Sequence, residues 1–246
     1  MLINKLFSVK NKTVLITGCG SGIGLELAKG FILNDAKVIG ISRRKPTVNL
    51  NFKSFFECDL TNKMQIKKLI NEIKSNDTKI NVLINVAGIS ILKSENLNEI
   101  SRFDQTLDTN LRAMYNLILE LKSQLIDGSS IINFSSIGGN FGFPNNPSYS
   151  ASKGAVLSLS KALSYDFGSQ NIRVNCIIPG YFHTKMTTLS FSNAKEKQIR
   201  INRTLLGRWG DLSELLGASI FLASDASSYV TGTELVIDGG WSAKGL

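Results

Sequence analysis

The chain alternates short apolar runs with longer stretches of helical period. Residues 12–17 (KTVLIT), 36–42 (AKVIGIS), 54–57, 80–86 (INVLINV), 130–135 (SIINFS), 171–178 (NIRVNCII) and 234–237 are the apolar runs. Most are continuous and β-branched rather than alternating, which predicts strands buried on both faces, as in a parallel sheet. Helical patterns cover 25–34, 63–75 and 101–126, then a segment opened by Pro147 and Ser148, then 211–224 with Asp211 as its expected N-cap. Strand–helix alternation of this kind predicts an α/β fold, a doubly wound parallel sheet with helices on both faces. No linker or repeat interrupts it, so residues 1–246 read as a single domain, with Asp127-Gly128 and Gly168 as local turns. Residues 182–206 break the alternation: Lys185, Lys195, Lys197, Arg200 and Arg203 face only Glu196. A polar, basic segment of that length after a strand end suits a mobile lid over a substrate pocket.

Composition narrows the class. With 246 residues, 43% hydrophobic and 19% charged, the chain has enough apolar side chains for a sizeable core and too few charges for disorder. No apolar run approaches the ~18 residues of a membrane span. Residues 1–12 lack the apolar core of a signal peptide, so no membrane partner and a cytoplasmic location are expected. Cys19, Cys58 and Cys176 are far apart and there is one histidine, His183, which leaves no metal-ligand spacing and implies reduced thiols. The net charge of +9 is dispersed, without a basic tail, zinc-finger spacing or aromatic RNA-binding signature, and this argues against nucleic acid as a partner.

The first strand runs into Gly18-Cys19-Gly20-Ser21-Gly22-Ile23-Gly24 and then a helix. Strand, glycine turn and helix form the context in which a backbone approaches a pyrophosphate and a helix N-terminus offers it free N–H groups. The common GxGxxG spacing is absent, and Gly18, Gly22 and Gly24 are the glycines that fit such a loop. After the second strand, 18 residues beyond Gly24, stands Ser42, followed by Arg43-Arg44. A carboxylate there would bind a ribose 2′-hydroxyl. A hydroxyl and guanidinium suit a 2′-phosphate instead, so NADP(H) is expected over NAD(H).

Tyr149 and Lys153 are four residues apart, which on a helix puts them on one face with about 5–6 Å between Cβ atoms. An ammonium that close lowers a phenol pKa; bringing it from about 10 to near 7 takes about 4 kcal/mol of differential interaction. A phenol so tuned exchanges a proton with an alcohol or ketone at neutral pH. As an isolated pair this spacing is common on solvated helix faces. Asn110, inside the 101–126 pattern, is either a satisfied core amide or a catalytic support. Gly18, Asp59, Asn85, Ser136 and Pro179 all fall at strand carboxyl ends and point to one crevice.

Together these motifs resemble the short-chain dehydrogenase/reductase family, a Rossmann-like fold, over nearly the full length. Thr17 to Gly24 is similar to its TGxxxGIG, and Tyr149 to Lys153 to its YxxxK. Ser136 stands thirteen residues before Tyr149, where the family has a serine, and Asn110 follows Asp108-Thr109. Asp59-Leu60, the Asn85-Val86-Ala87-Gly88 variant of NNAG, Pro179-Gly180 with Thr184, and Asp238-Gly239-Gly240 complete the series.

The resemblance implies a catalytic set of Asn110, Ser136, Tyr149 and Lys153, with Asn110 holding a water that relays protons through Lys153. It also implies cofactor contacts from Gly18, Ser21, Gly22, Ile23, Gly24, Ser42, Arg43, Asp59, Leu60, Asn85, Ala87, Gly88, Tyr149, Lys153, Pro179, Gly180 and Thr184. A small ketone or alcohol is the implied substrate, and a homotetramer built through 101–126 and 148–168 the implied assembly. His183 is either a surface side chain or a substrate contact.

Two substrate classes stay open. Residues 203–210 (RTLLGRWG) and the opening resemble gluconate 5-dehydrogenase-like members, and a basic lid suits an anionic substrate. The length and C-terminal signature also resemble 3-oxoacyl-carrier-protein reductases, although Asp127 and Gln170 stand where those place arginines. A non-catalytic nucleotide sensor would have no need of the Ser136, Tyr149 and Lys153 set.

Overall fold

Every apolar run forms a strand in the computed structural model of the chain, which describes residues 2–92 and 97–245. In chain order the elements are α1 (Leu2–Leu6), β1 (Thr13–Thr17), α2 (Gly22–Leu33), β2 (Lys37–Ser42), β3 (Ser54–Glu57), α3 (Lys63–Ser75), β4 (Ile80–Asn85), α4 (Glu99–Leu107), α5 (Ala113–Leu121), β5 (Leu125–Phe134), α6 (Pro147–Gly168), β6 (Arg173–Pro179), α7 (Thr188–Ser192), α8 (Ala194–Arg203), α9 (Glu214–Ala223) and β7 (Glu234–Ile237). The strands form one sheet in the order β3-β2-β1-β4-β5-β6-β7, parallel throughout. The chain winds outward from β1 to β3 and then crosses to the far side of β1 with β4. The connections leaving β1 and β4 part in opposite directions, and their carboxyl ends border a crevice.

Side-chain alternation along each strand feeds two cores. Leu15 with Ile39, Leu83 and Ile131 packs beneath α3, α5 and α6 through Leu69, Leu117, Val156 and Leu163. Val14 and Ile16 with Val38, Val82 and Ile84 pack on the other face beneath α2 and α9 through Leu27, Phe31, Leu215 and Leu222. Both faces are covered, which is why the strands read as continuous apolar runs. Among the described residues no helix is long and apolar enough to cross a membrane.

Three local readings change. The 101–126 helix is not continuous: a π-helical turn at Asp108–Arg112 separates α4 from α5, and β5 already begins at Leu125. Asp127-Gly128 is not a turn between elements but part of a bulge inside β5. Leu125 pairs with Ile80 and Ser130 with Val82, so the intervening residues bow out, with Gly128 at φ +75° and Ser129 Oγ donating to the Ile80 carbonyl at 2.8 Å. Asp211 does not cap α9. Ser213 takes the N-cap position, and the Asp211 N–H donates to the Glu214 carboxylate at 2.7 Å. Residues 182–206, the expected lid, contain α7 and α8.

Candidate functional site

The crevice is a cleft of about 560 Å³ at the carboxyl ends of the strands. Its floor begins where β1 turns into α2. Gly18 has φ +74°, and a Cβ there would lie 2.9 Å from the Ala87 Cα; a Cβ on Gly24 would lie 2.5 Å from the Gly18 carbonyl oxygen. Only glycine lets the β1 turn, the β4 turn and the start of α2 close on one another at these two points. The Thr17 hydroxyl ties the same junction by accepting from the N–H groups of Val86 and Ala87, each at 3.1 Å. Ser21, the N-cap of α2, makes no side-chain capping bond. The first-turn N–H groups at Gly22, Ile23 and Gly24 are therefore left without a side-chain cap, and all three residues line the cleft beside Ser21. That cradle fits a dinucleotide pyrophosphate.

The remaining cofactor candidates divide. Ser42 and Arg43 at the end of β2 line the cleft, as do Asp59 and Leu60 after β3. Asp59 accepts from the Thr61 N–H and hydroxyl at 2.9 and 2.7 Å. Burial pushes its carboxyl up, but those bonds and the nearby Arg43 charge outweigh it and leave the pKa below the usual carboxylate value. Ala87, Gly88, Pro179 and Thr184 also line the cleft, and so do Tyr149 and Lys153.

Asn85 and Gly180 do not line it. Asn85 is buried within the sheet and donates to Asn133 at 2.9 Å, and Asn133 donates to Ser160 on α6 at 2.9 Å. Gly180 packs on Asp238, where a Cβ would meet that residue's Cβ at 2.6 Å, so it shapes the wall from behind. Lys185, one of the cations of the expected lid, borders the cleft; sequence reasoning did not single out Thr61 or Met186, which also border it, or the Thr17 hydroxyl behind it. A hydroxyl at the last position of a central strand, poised before the glycine turn, was the available signal for Thr17.

Tyr149 and Lys153 line the inner end of the cleft, with Ser136 beside the phenol and buried Asn110 behind, both outside its lining. Pro147 at the first helical position starts α6, whose first two turns carry Tyr149 and Lys153 on one face. The Lys153 Nζ lies 5.9 Å from the Tyr149 ring centroid and donates to the Phe134 carbonyl at 2.8 Å. The expectation that Lys153 holds the Tyr149 pKa down is not met. Burial pushes the phenol above its ordinary value, the Ser136 hydroxyl pulls it back in part, and Tyr181 raises it further. The ammonium points at a carbonyl rather than the phenol oxygen, and burial brings the lysine itself down to about 8. The neutral, proton-carrying phenol is thus the resting form.

Ser136 caps a 3₁₀ turn by accepting from the Gly138 N–H at 3.1 Å. Asn110 sits in the π-helical turn, an irregularity that often marks function. Its amide clamps the loop after β4: Oδ1 accepts from the Ile89 N–H at 2.7 Å, while Nδ2 donates to the Ile89 carbonyl at 2.9 Å and the Ser152 hydroxyl at 3.0 Å. Both amide protons are therefore engaged by protein, and only one Oδ1 lone pair is left for a water. A Cβ on Gly88 would lie 3.2 Å from that oxygen and 3.5 Å from the Lys153 Nζ, so the two groups flank one point.

On the far side of the phenol α7 and α8 lean on an aromatic cluster. Exposed His183 stacks on Phe191 at 4.0 Å, and Phe191 meets Trp209 at 5.1 Å. Arg203 lies 4.4 Å over Trp241. This segment is held by packing, with Thr187 Oγ1 also donating to the Phe182 carbonyl at 2.6 Å.

The chain is similar to known proteins throughout. A family model described as enoyl-(acyl carrier protein) reductase matches residues 18–242. A 2-dehydro-3-deoxy-D-gluconate 5-dehydrogenase of Pseudoalteromonas atlantica is 32% identical over 97% of this chain and 98% of its own. A 3-oxoacyl-[acyl-carrier-protein] reductase of Chlamydia trachomatis is 35% identical over 94% of this chain and 97% of its own. Among solved structures, a gluconate 5-dehydrogenase from Burkholderia cenocepacia in complex with NADP and tartrate superposes with TM-score 0.92 at 30% identity, covering 99% of this chain and 100% of that one. A 4-hydroxyisoleucine dehydrogenase complexed with NADH superposes with TM-score 0.88 at 31% identity, covering 96% and 100%.

Proposed function

The chain belongs to the short-chain dehydrogenase/reductase family, NAD(P)-dependent oxidoreductases of CH–OH and C=O groups, and from that premise we propose that it interconverts a ketone and a secondary alcohol on a sugar acid, using NADP(H). The observation that carries the reading is the meeting of Tyr149 and Lys153 with the α2 N-terminal cradle in one cleft, with the Ser136 hydroxyl against the Tyr149 phenol. Gly18, Ser21 to Gly24, Ser42, Arg43, Asp59 and Leu60 would hold the adenosine and phosphate parts of the dinucleotide. Ala87, Gly88, Tyr149, Lys153, Pro179 and Thr184 would hold its nicotinamide end. When bound, the nicotinamide supplies or accepts a hydride.

Tyr149 donates its phenolic proton to the substrate carbonyl oxygen in reduction and takes it back in oxidation. Its raised pKa keeps the phenol protonated at neutral pH, the form that donates in reduction. The Ser136 hydroxyl hydrogen-bonds the same substrate oxygen and stabilises its developing charge. Lys153, at about 8, is close enough to neutral pH to return a proton to the phenol. Asn110 contributes chiefly by fixing the Gly88–Ile89 loop against α6, its remaining lone pair serving a relay water.

Ser42 and Arg43 support NADP(H) because no carboxylate stands at the end of β2 to meet a 2′-hydroxyl. Names of relatives that act on gluconate and its 2-dehydro-3-deoxy form, together with four cations on α8 against one carboxylate, support an acidic sugar. A second reading, reduction of a 3-oxoacyl thioester, is favoured by the Chlamydia relative. Exposed Ile100, Phe103, Tyr115, Leu119 and Tyr165 on α4, α5 and α6 support a homo-oligomer, and the unbroken strand order supports one domain. NADPH oxidation measured against 5-keto-D-gluconate, neutral ketoses and an acetoacetyl thioester tests the assignment. Turnover confined to the thioester overturns the sugar-acid reading, and no turnover with any ketone favours a nucleotide sensor.

A further inference from the structure

The turn that follows β6 carries an uncommitted cation to the cleft. Of the basic residues in 182–206, Lys185 lines the cleft, whereas Lys197, Arg200 and Arg203 lie over the rings of Phe191, Tyr181 and Trp241. Lys185 is exposed, and among the described residues no carboxylate or carbonyl partners its ammonium. Its neighbours fix the backbone that carries it. Thr187 Oγ1 donates to the Phe182 carbonyl at 2.6 Å and accepts from the Thr184 N–H at 2.9 Å. Thr188 Oγ1 donates to the Thr184 carbonyl at 2.8 Å, and buried Phe182 is bridged to Gly210. Protein groups alone hold this knot.

The knot lies against the start of α2. A Cβ on Gly22 would stand 3.6 Å from the Thr184 Cγ2, so Lys185 is the next residue along from a contact with the phosphate cradle. Ser21, Gly22 and Lys185 share the lining of the cleft. The other charged groups of that lining are engaged elsewhere. Asp59 accepts from Thr61, Asp108 pairs with Arg112, and Lys153 donates to the Phe134 carbonyl at the inner end. Arg43 stands at the end of β2, where its charge acts on Asp59. The cradle itself offers uncapped N–H groups and a helix dipole but no full positive charge. A dinucleotide pyrophosphate is a dianion. An ammonium on a flexible four-carbon stem is the point charge such an anion fits.

Resting on the dinucleotide reading above, we propose that Lys185 binds the cofactor pyrophosphate and completes the cradle that the first turn of α2 opens. Arg43 reads the 2′-phosphate and Lys185 does not, so the contact serves NADP(H) and NAD(H) alike. Because Lys185 stands between the Thr184 knot and α7, the same contact ties the start of the lid to the bound cofactor.

The test separates charge from shape. Dissociation constants of NADPH and NADH are measured by nucleotide fluorescence with the wild type, Lys185→Gln, Lys185→Glu and Lys185→Arg. Both nucleotides carry the pyrophosphate. At about 0.1 M salt both therefore weaken about 5-fold in Lys185→Gln and about 20-fold in Lys185→Glu, and stay within about twofold in Lys185→Arg. Raising salt to about 1 M shortens the screening length from about 10 to about 3 Å and brings Lys185→Gln to within about twofold of the wild type.

A turn that is merely loosened weakens binding by the same factor at both salt concentrations, and that result overturns the proposal. Losses confined to NADPH place Lys185 on the 2′-phosphate and overturn it. Unchanged dissociation constants with a raised KM for 5-keto-D-gluconate move the ammonium to the substrate and overturn it as well. A wild type that binds neither nucleotide overturns the dinucleotide reading; wild-type binding that survives intact in Lys185→Gln overturns the Lys185 contact alone.

Discussion

Replacing Lys153 by Met should change how stability depends on pH in a calculable way. The lysine is 5% exposed, and burial brings it from the ordinary 10.5 to about 8. At about 1.4 kcal/mol per pKa unit, holding that ammonium charged in the fold costs about 3 kcal/mol below pH 8. Between pH 8 and 10.5 the unfolded chain binds a proton that the folded chain has released, so wild-type stability rises with pH there relative to Lys153→Met. Above 10.5 the penalty is gone. The variant strands the Phe134 carbonyl, now bonded to Nζ at 2.8 Å, which costs about 1–2 kcal/mol at every pH. Cofactor-free Lys153→Met is therefore about 1–2 kcal/mol more stable than wild type at pH 7 and less stable at pH 10.5.

Urea unfolding of both proteins at closely spaced pH values reads the difference directly. The buried thiols of Cys19 and Cys58, pushed up to about 12 and 11, destabilise both proteins alike above pH 9 and cancel. Cys176, pushed up to about 12 by burial, sits in the field of Lys153, and losing that charge pushes the thiol further up; up to pH 10.5 the folded thiol stays protonated in both proteins, so its contribution cancels over the range compared. Stability curves that stay parallel from pH 7 to 10.5 would show that the ammonium is solvated or paired in the fold, and would refute the reasoning.

Other perturbations separate chemistry from binding and from framework. Tyr149→Phe should lower kcat by about 10³-fold or more while leaving the NADPH dissociation constant within about threefold, read by stopped-flow and fluorescence titration; near-normal turnover removes the proposed acid. Arg43→Ala should weaken NADPH about 10- to 100-fold and NADH about twofold, and equal losses would withdraw the 2′-phosphate assignment. Thr17→Val keeps the shape but leaves the N–H groups of Val86 and Ala87 without their acceptor; it should cost about 2 kcal/mol and lower Tm by about 4–8 °C, with an unchanged melt arguing that those groups find other partners.

The strands were legible because burial on both faces writes itself as unbroken apolar sequence, and the glycine turn because few residues but glycine permit its close approaches. The π-helical turn was not legible. Its residues 108–112 continue the helical period, and only the bonds of Asn110 to Ile89 reveal why the helix widens there. Residues 182–206 were read from charge and length as a lid, which left their two helices unseen. Arg200, Arg203 and Lys197 lay their cations on the faces of Tyr181, Trp241 and Phe191, a pairing invisible until the segments meet. The spacing of Tyr149 and Lys153 located the pair but not the direction of the ammonium, which depends on the Phe134 carbonyl brought in by β5.

The amide chain from Asn85 through Asn133 to Ser160 bears on how the sheet chooses its alignment. Both β4 and β5 are almost wholly buried, so sliding one along the other by two residues would return each apolar side chain to the same face with little change in area buried. Asn85 and Asn133 are direct partners across the two strands, and only in that alignment does each amide find the other in a region without water. A slip would take from buried Asn85, whose Oδ1 already has no partner, the bond that its amide protons make, and leave Asn133 with Ser160 alone. One polar pair thereby rules out neighbouring pairings that hydrophobicity alone would tolerate, and it fixes the height at which the β1, β4 and β5 ends stand relative to one another.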